Sequence, residues 1–202
     1  MASVLDELPW PARTERLSLR PATPDDDAAT WRYRQLDAVS RWITRAPARF
    51  EDYQDAFRDP DRVAMTLVVE LDGEVVGDLM LRVQDAWAQA EVAERARGVQ
   101  AELGWAFDPA RAGRGFATEA VHELLRLCFA ELGLRRVTAT CFSDNVPSWR
   151  LMERVGMRRE SCTVRDALHR SGEWLDGMGY ALLAEEWRGV SGRPADGAPG
   201  RP

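Results

Sequence analysis

The sequence contains no lysine. All 27 basic residues are arginine, against 33 acidic residues, for a formal net charge of −6. An enzyme that forms a Schiff base with its substrate or with pyridoxal phosphate needs a lysine amine, because the arginine guanidinium stays protonated at any working pH. The phosphate-binding loop G-x-x-x-x-G-K-[ST] also requires its lysine. Both kinds of site are therefore excluded.

Histidine and cysteine are scarce, with two and three residues. With no C-x-x-C pair and so few histidines, we expect no metal site. The odd number of cysteines favours free, buried thiols in a reducing compartment over a disulfide framework; they are Cys128, Cys141 and Cys162. No apolar run reaches the roughly 20 residues of a membrane span, and no signal-peptide pattern opens the chain. We therefore expect a cytoplasmic protein with no membrane partner.

The composition is that of a soluble globular protein, with 45% hydrophobic and 30% charged residues in a chain of 202. The acidic balance argues against nucleic acid as a partner and favours a cationic one. Residues 1–14, which include two prolines, indicate an irregular arm. Residues 15–188 form the expected domain, and residues 189–202 form an expected disordered tail rich in glycine, proline, serine and alanine.

Hydrophobic periodicity and turn residues predict a mixed α/β (α+β) single domain. Strands are expected at residues 16–20, 65–71, 75–81, 101–107, 137–142, 157–168 and 173–183. Helices are expected from Thr23 to about residue 34 and at residues 49–58, 116–132 and 147–155. Asp72-Gly73 is a strong hairpin-turn signal, and residues 84–100 indicate a partly helical surface insertion. The strand–loop–helix–strand unit over 101–142 requires a right-handed parallel crossover.

A glycine loop, Gly113-Arg114-Gly115, separates a predicted strand from the long predicted helix. Glycines let backbone N–H groups turn toward one point, and the helix adds its free N-terminal donors and the positive end of its dipole. Such a loop binds a phosphate without lysine, although a plain tight turn explains the glycines equally well. It is not the dinucleotide-binding fingerprint, because the third glycine is absent.

Longer motifs around this loop resemble a known family. The run from Glu102 to Pro109, followed by the glycine loop and Ala-Thr-Glu-Ala, resembles the cofactor motif of the GNAT superfamily of N-acetyltransferases. The run from Asp144 to Met157 resembles the second signature, N-x-x-S-x-x-x-x-E-x-x-G-[FM]. With residues 172–176 and Tyr180, the chain is similar to the RimJ/RimL-like branch, which acetylates N-termini of ribosomal proteins. The resemblance covers about residues 15–187.

The resemblance implies a GNAT fold, in which a mostly antiparallel sheet contains one splayed parallel strand pair and is flanked by helices. It also implies acetyl-CoA, or another acyl-CoA, as co-substrate. The pantetheine arm would pair with the backbone in the notch between the splayed strands, and the pyrophosphate would lie on the N–H groups of the loop. The implied cofactor-binding residues are Trp105, Phe107, Ala112, Gly113, Arg114, Gly115, Phe116, Ala117, Thr118 and Asn145. Ala112 stands where the family usually has arginine or glutamine.

The implied reaction is direct attack of an amine on the thioester. An alkyl amine has a pKa of about 10 and must lose a proton first, so a base is needed, and an acid assists the departing thiolate. The resemblance implies that Ser148 is this acid; its alternative role is that of a helix-capping hydroxyl. Glu102 is the first candidate for the base, acting through a water. Glu173 and Asp176 are rivals, and a reaction without a dedicated base remains an alternative.

The acceptor is expected to be a protein N-terminus or a small-molecule amine such as a polyamine, an amino acid or an aminoglycoside. Branch membership also leads us to expect a homodimer. The alternative from another class is a non-enzymatic CoA-binding module that senses the cofactor or scaffolds a partner. A covalent acyl-cysteine route through Cys141 is disfavoured, because no histidine lies nearby in the sequence and the family transfers directly.

Overall fold

An eight-stranded mixed sheet forms the centre of the protein, which we describe from a computed structural model over residues 3–191, with side chains through residue 187. In spatial order the strands are β1 (Ala12–Arg13), β2 (Ser18–Pro21), β3 (Thr66–Leu71), β4 (Glu74–Gln84), β5 (Gln100–Phe107), β6 (Arg136–Phe142), β8 (Trp174–Leu183) and β7 (Arg158–Leu168). Strands β5 and β6 pair in parallel, and the other neighbouring pairs in the described chain are antiparallel. The predicted mixed fold with one parallel crossover is confirmed.

Helices cover both faces of the sheet. They are α1 (Asp27–Arg34), α2 (Asp37–Ser40), α3 (Phe50–Phe57), α4 (Pro60–Val63), α5 (Phe116–Arg126), α6 (Val146–Arg154) and α7 (Ala184–Ser191), and α5 continues into a π-helical turn at Leu127–Glu131. Helices α5 and α6 bury their apolar sides in the main core with residues such as Leu103 and Val137. Helices α1 and α3 form a second core on the opposite face, with Val68 and Ala106. No helix in the described part of the chain is long and apolar enough to span a bilayer.

Local turn chemistry explains the β3–β4 hairpin. Asp72 and Gly73 both have positive φ, 52° and 80°, which is the backbone of the type I′ turn that the Asp-Gly pair predicts. Strand β4 then runs on to Gln84, and the predicted surface insertion follows. It contains a short 3₁₀ helix, Ala90–Ala96, and is closed by a 2.8 Å hydrogen bond from the Ala86 N–H to the Ala96 carbonyl. The expectation of a partly helical insertion is confirmed.

The N-terminal arm differs from the expectation of an irregular segment. Residues Val4–Glu7 form a 3₁₀ turn, and β1 pairs with β2. Leu5 and Leu8 are buried in the main core, and removing their apolar side chains from water favours an ordered arm. At the C-terminal end of the domain, the structure has helix α7, which was not predicted and which ends at Ser191. The rest of the expected tail over 189–202 lies outside the described residues.

The three cysteines are free, but they are not alike. Cys128 is buried, and this burial raises the pKa of its thiol to about 12. Cys141 is half-buried. Cys162 is exposed, contrary to the expectation of buried thiols, because it lies on β7, a strand at the edge of the sheet whose residues are mostly exposed.

Candidate active site

The parallel strands β5 and β6 pair over only a short stretch. Their register joins Gln100 to Arg136, Ala101 to Val137, and Glu102 to Thr138, and it ends there. Strand β5 nevertheless stays paired with β4 as far as Phe107, and β6 stays paired with β8 as far as Phe142. The two strands therefore diverge beyond Glu102 and leave a notch with an open backbone edge on each side.

The open edge of β5 presents the backbone groups of Trp105 and Phe107. The Asp108 N–H donates to the carbonyl of Val76 in β4 at 2.9 Å. Because successive residues of a strand direct their backbone groups to alternate sides, those of Trp105 and Phe107 point toward the notch. Both side chains pack against the main core. The backbone groups of these two residues therefore line the notch.

The glycine loop carries a row of unpaired donors. Gly113 and Gly115 have φ of 75° and 81°, and Gly115 caps helix α5 in the left-handed conformation. Within the described chain, the N–H groups of residues 113–118 have no hydrogen-bond acceptor. A side chain added at Gly113 would meet nothing within 4 Å. The loop is therefore an open cradle of N–H groups at the positive end of α5, which fits an anionic diphosphate.

Two groups just before the glycine loop are engaged elsewhere. The Ala112 N–H donates to the Pro109 carbonyl at 3.1 Å, so the cradle begins at Gly113 and not at Ala112. The neighbouring Arg111 forms an ion pair with Glu74 at 2.5 Å. The cations beside the loop are Arg114 and Arg16. Arg16 lies far away in the sequence, and the sequence analysis did not single it out.

Glu102 faces a polar cavity on the sheet. It alternates with Ala101 and Leu103, whose side chains are buried in the main core with α5, so its own side chain points to the opposite face. There it forms an ion pair with Arg82. It also lines a cavity of about 350 Å³ together with residues from β4, β6, β7 and β8, which are Gln84, Arg136, Thr138, Thr140, Glu160, Ser161, Gly179 and Tyr180.

Glu160 lies in the same cavity but has a different electrostatic environment. Its carboxylate pairs with Arg158 at 2.7 Å and also with Arg136. Hydrogen bonding from Arg136, the largest cause, lowers the pKa of Glu160 to about 2. A carboxylate with so low a proton affinity is a poor general base near neutral pH.

Ser148 approaches the notch from the other face of the sheet. It lies in the first turn of α6, and its N–H donates to the carbonyl of the capping residue Asn145 at 3.0 Å. Its hydroxyl lies beside the thiol of Cys141, a β6 residue that packs against the main core. Burial raises the pKa of Cys141, and the Ser148 hydroxyl opposes that rise. The Asn145 side chain makes no capping bond.

Of the rival carboxylates, Glu173 is exposed at the tip of the β7–β8 hairpin and accepts a hydrogen bond from the Ser171 hydroxyl at 3.2 Å. Asp176 accepts from the Arg165 N–H at 2.9 Å. Neither lines the cavity beside Glu102. The geometry therefore sets Glu102 apart from the other two.

An aromatic cluster joins the hairpin tip to the loop after α2. The His169 ring is 5.4 Å from Phe142 and 5.9 Å from Trp42, and its Nε2 is 2.9 Å from the Arg41 carbonyl. The fold thus brings β6 and the loop after α2 against His169. Trp42 thus lies near the end of the notch, whereas Trp31 packs against Tyr53 in the second core.

Comparisons with known proteins agree with this geometry. Residues 16–158 match the family described as the acetyltransferase (GNAT) domain. The uncharacterized N-acetyltransferase YnaD of Bacillus subtilis is 42% identical over 86 residues, which are 43% of this chain and 50% of YnaD. The L-amino acid N-acetyltransferase AaaT of Escherichia coli is 31% identical over 110 residues, or 54% of this chain and 62% of AaaT. The chain thus spans about half of the length of YnaD.

Solved structures cover more of the chain. A GNAT-family acetyltransferase from Bacillus anthracis is 31% identical with a TM-score of 0.72, over 86% of this chain and 98% of that one. Mycobacterium smegmatis RimJ, solved in complex with CoA-disulfide, is 27% identical with a TM-score of 0.69, over 88% of this chain and 90% of that one. The likeness to RimJ supports the resemblance to the RimJ/RimL-like branch.

Proposed function

Since this chain belongs to the GNAT acetyltransferase family, we propose that it transfers an acetyl group, or another short acyl group, from CoA to a primary amine. The observation that carries this proposal is the notch beyond Glu102 and Thr138, with the free N–H groups of residues 113–118 beside it. The notch offers backbone partners to an extended arm, and the loop offers donors to a diphosphate. These are the chemical features of an acyl-CoA.

The residues that would hold the donor follow from this arrangement. The N–H groups from Gly113 to Thr118 would bind the diphosphate, with the Thr118 hydroxyl nearby. The backbone of Trp105 and Phe107 would pair with the pantetheine arm, and the Asn145 amide, which makes no capping bond, stands at the start of α6. A main-chain N–H aimed at the thioester carbonyl would stabilise developing negative charge, which is often the largest contribution in acyl transfer.

The positions of Glu102 and Ser148 on opposite faces of the sheet support direct attack in a ternary complex. An amine entering from the cavity side would lose its proton to Glu102 through a water. On the far side, the Ser148 hydroxyl would donate a proton to the departing thiolate. The attacking amine and the leaving thiolate need separate sites around one carbonyl carbon. A base and an acid on opposite faces of the sheet therefore suit the reaction.

A covalent route through Cys141 is not supported. Burial raises the pKa of this thiol, and no histidine hydrogen-bonds it within the described residues. The thiolate is the nucleophilic form of cysteine, and a raised pKa lowers the fraction of the thiol that is ionised. This environment therefore disfavours Cys141 as a nucleophile.

The acceptor we propose is a protein N-terminus or a small-molecule amine, reaching the notch across the polar cavity beside Glu102. The likeness to RimJ favours the first, and the similarity to AaaT, named as an L-amino acid N-acetyltransferase, favours the second.

We also propose, from the resemblance to the RimJ/RimL-like branch, that the protein is a cytoplasmic homodimer. Light scattering of the purified chain tests the oligomeric state.

The proposal is tested by thiol release from acetyl-CoA against a panel of peptide N-termini, amino acids, polyamines and aminoglycosides. We expect CoA release to depend on one amine class, with the acyl group found on that amine by mass spectrometry. Tight CoA binding without turnover on any amine would instead favour the second candidate function, a CoA-sensing or scaffolding module. Longer donors such as succinyl-CoA extend the same assay to acyl specificity.

A further inference from the structure

Arg16 links the N-terminal segment to the glycine loop. Its Nη1 donates to the Arg114 carbonyl at 2.9 Å, and its Nη2 lies 3.5 Å from where a side-chain carbon on Gly115 would be. Its guanidinium also lies 4.7 Å from the centre of the Phe116 ring, which is buried in the main core. A residue nearly 100 positions away in the sequence thus fixes the carbonyl in the middle of the loop.

The same guanidinium neutralises the carboxylate of Glu119. The Arg16 Nε donates to Glu119 at 2.7 Å, and its Nη2 lies 2.5 Å from the same oxygen. The Arg16 N–H and the Thr14 hydroxyl donate to the other carboxylate oxygen at 2.9 Å and 2.5 Å. Burial works to raise the pKa of Glu119, but these hydrogen bonds lower it, so the side chain is ionised.

An ionised Glu119 in the first turn of α5 stands beside the N–H groups that would receive a diphosphate. Without a counter-charge it would repel that ligand, because like charges at short range raise the free energy of binding. Arg16 is the cation that pairs with it, and it meets a Glu119 carboxylate whose own side-chain area is only 17% exposed. The Arg16–Glu119 ion pair therefore favours the binding of an anion at the loop, in addition to any contribution it makes to folding.

We propose that Arg16 is a positioning residue for the acyl-CoA diphosphate. It holds the Arg114 carbonyl so that the N–H groups of the loop converge, and it cancels the charge of Glu119 next to them. This inference rests on the proposed function, because it concerns the same donor site. It assigns a role to the N-terminal segment, which carries none of the residues expected to touch the donor or the acceptor.

The test compares two donors, acetyl-CoA and S-acetylpantetheine, which lacks the diphosphate. We expect Arg16→Ala to lower kcat/KM for acetyl-CoA about tenfold, through KM, and to change kcat/KM for S-acetylpantetheine less than twofold. Calorimetric titration with CoA should show the same tenfold weakening. Arg16→Lys, which keeps the charge but not the forked geometry, should lose only a few-fold. If the alanine variant folds poorly, Arg16→Lys tests the same role in a folded protein.

Two further variants sharpen the test. Arg13→Ala, an exposed arginine on the same segment, is the matched control and should leave both donors unchanged. Arg16→Ala combined with Glu119→Gln should recover part of the CoA affinity, because the repelling charge is removed. Equal losses for both donors, or unchanged CoA affinity in Arg16→Ala, would overturn this inference alone. Failure of the unaltered protein to bind CoA would overturn the proposed function, and this inference with it.

Discussion

Glu102 on β5 and Thr138 on β6 are the last paired residues of the parallel strands, and the sheet opens directly beyond them. The Glu102 side chain therefore stands at the apex of the notch, on the face that bears the polar cavity. A carboxylate at this point can reach an amine that enters from the cavity. The predictions below test this arrangement and the residues around it.

We expect Gly115→Asp to abolish the thermal stabilisation that CoA gives to the protein. A side chain and a negative charge would occupy the anion cradle, and the positive φ of 81° adds backbone strain. Gly133→Asp is the matched control, since Gly133 also has a positive φ, 62°, in open space but lies at the far end of the long helix. A CoA-dependent shift in melting temperature that survives in Gly115→Asp would show that the diphosphate binds elsewhere.

Ser148→Ala should lower kcat by about 100-fold with little change in KM for acetyl-CoA, because general acid catalysis typically contributes this much and acts only in the transition state. The measurement is steady-state kinetics in both substrates. Ser143→Ala, a hydroxyl in the loop before α6, is the control and should retain activity. A comparable loss of donor affinity would assign Ser148 a capping or binding role instead.

Glu102→Gln should reduce kcat/KM for the amine by about 100-fold at neutral pH, since the amide cannot accept the proton. Raising the pH should restore part of the rate, because the amine then deprotonates in solution. Glu160→Gln changes a carboxylate in the same cavity, held by Arg136 and Arg158, and should leave turnover nearly unaltered. If both variants behave alike, then the base is not Glu102.

Glu160 should instead contribute to stability in a pH-dependent way. Its pKa is lowered from 4.5 to about 2 by Arg136 and Arg158, so its contribution is present above about pH 4.5 and is lost as the pH falls toward 2. Because the carboxylate is partly exposed, solvent screening limits the effect to about 0.5 kcal/mol. Glu160→Gln should lower the melting temperature by about 1–2 °C at pH 6 and should leave it unchanged near pH 2.

The control for this measurement is Glu51→Gln, which removes a more exposed ion pair with Arg49. It should change the melting temperature less than Glu160→Gln at pH 6. A Glu160→Gln difference that persists at pH 2 would mean that the variant acts through packing and not through charge.

The sequence by itself determined the order of the main strands and helices and the position of the glycine loop before the long helix. These depend on local properties: Asp72-Gly73 adopts the positive φ of a tight turn, and glycines at 113 and 115 free the backbone before a helix. The alternation of Glu102 with Leu103 also indicates that they face opposite sides of a strand.

Only the tertiary structure decided which face of the sheet each helix covers. It thereby separated Glu102 and Ser148 by the sheet, and it gave Glu160 the arginine partners that lower its pKa. It also buried Leu5 and joined Arg16 to Glu119, residues separated by 103 positions. Such contacts arise when the whole core closes, and no local propensity or spacing encodes them, because their free energy depends on what packs against each side chain.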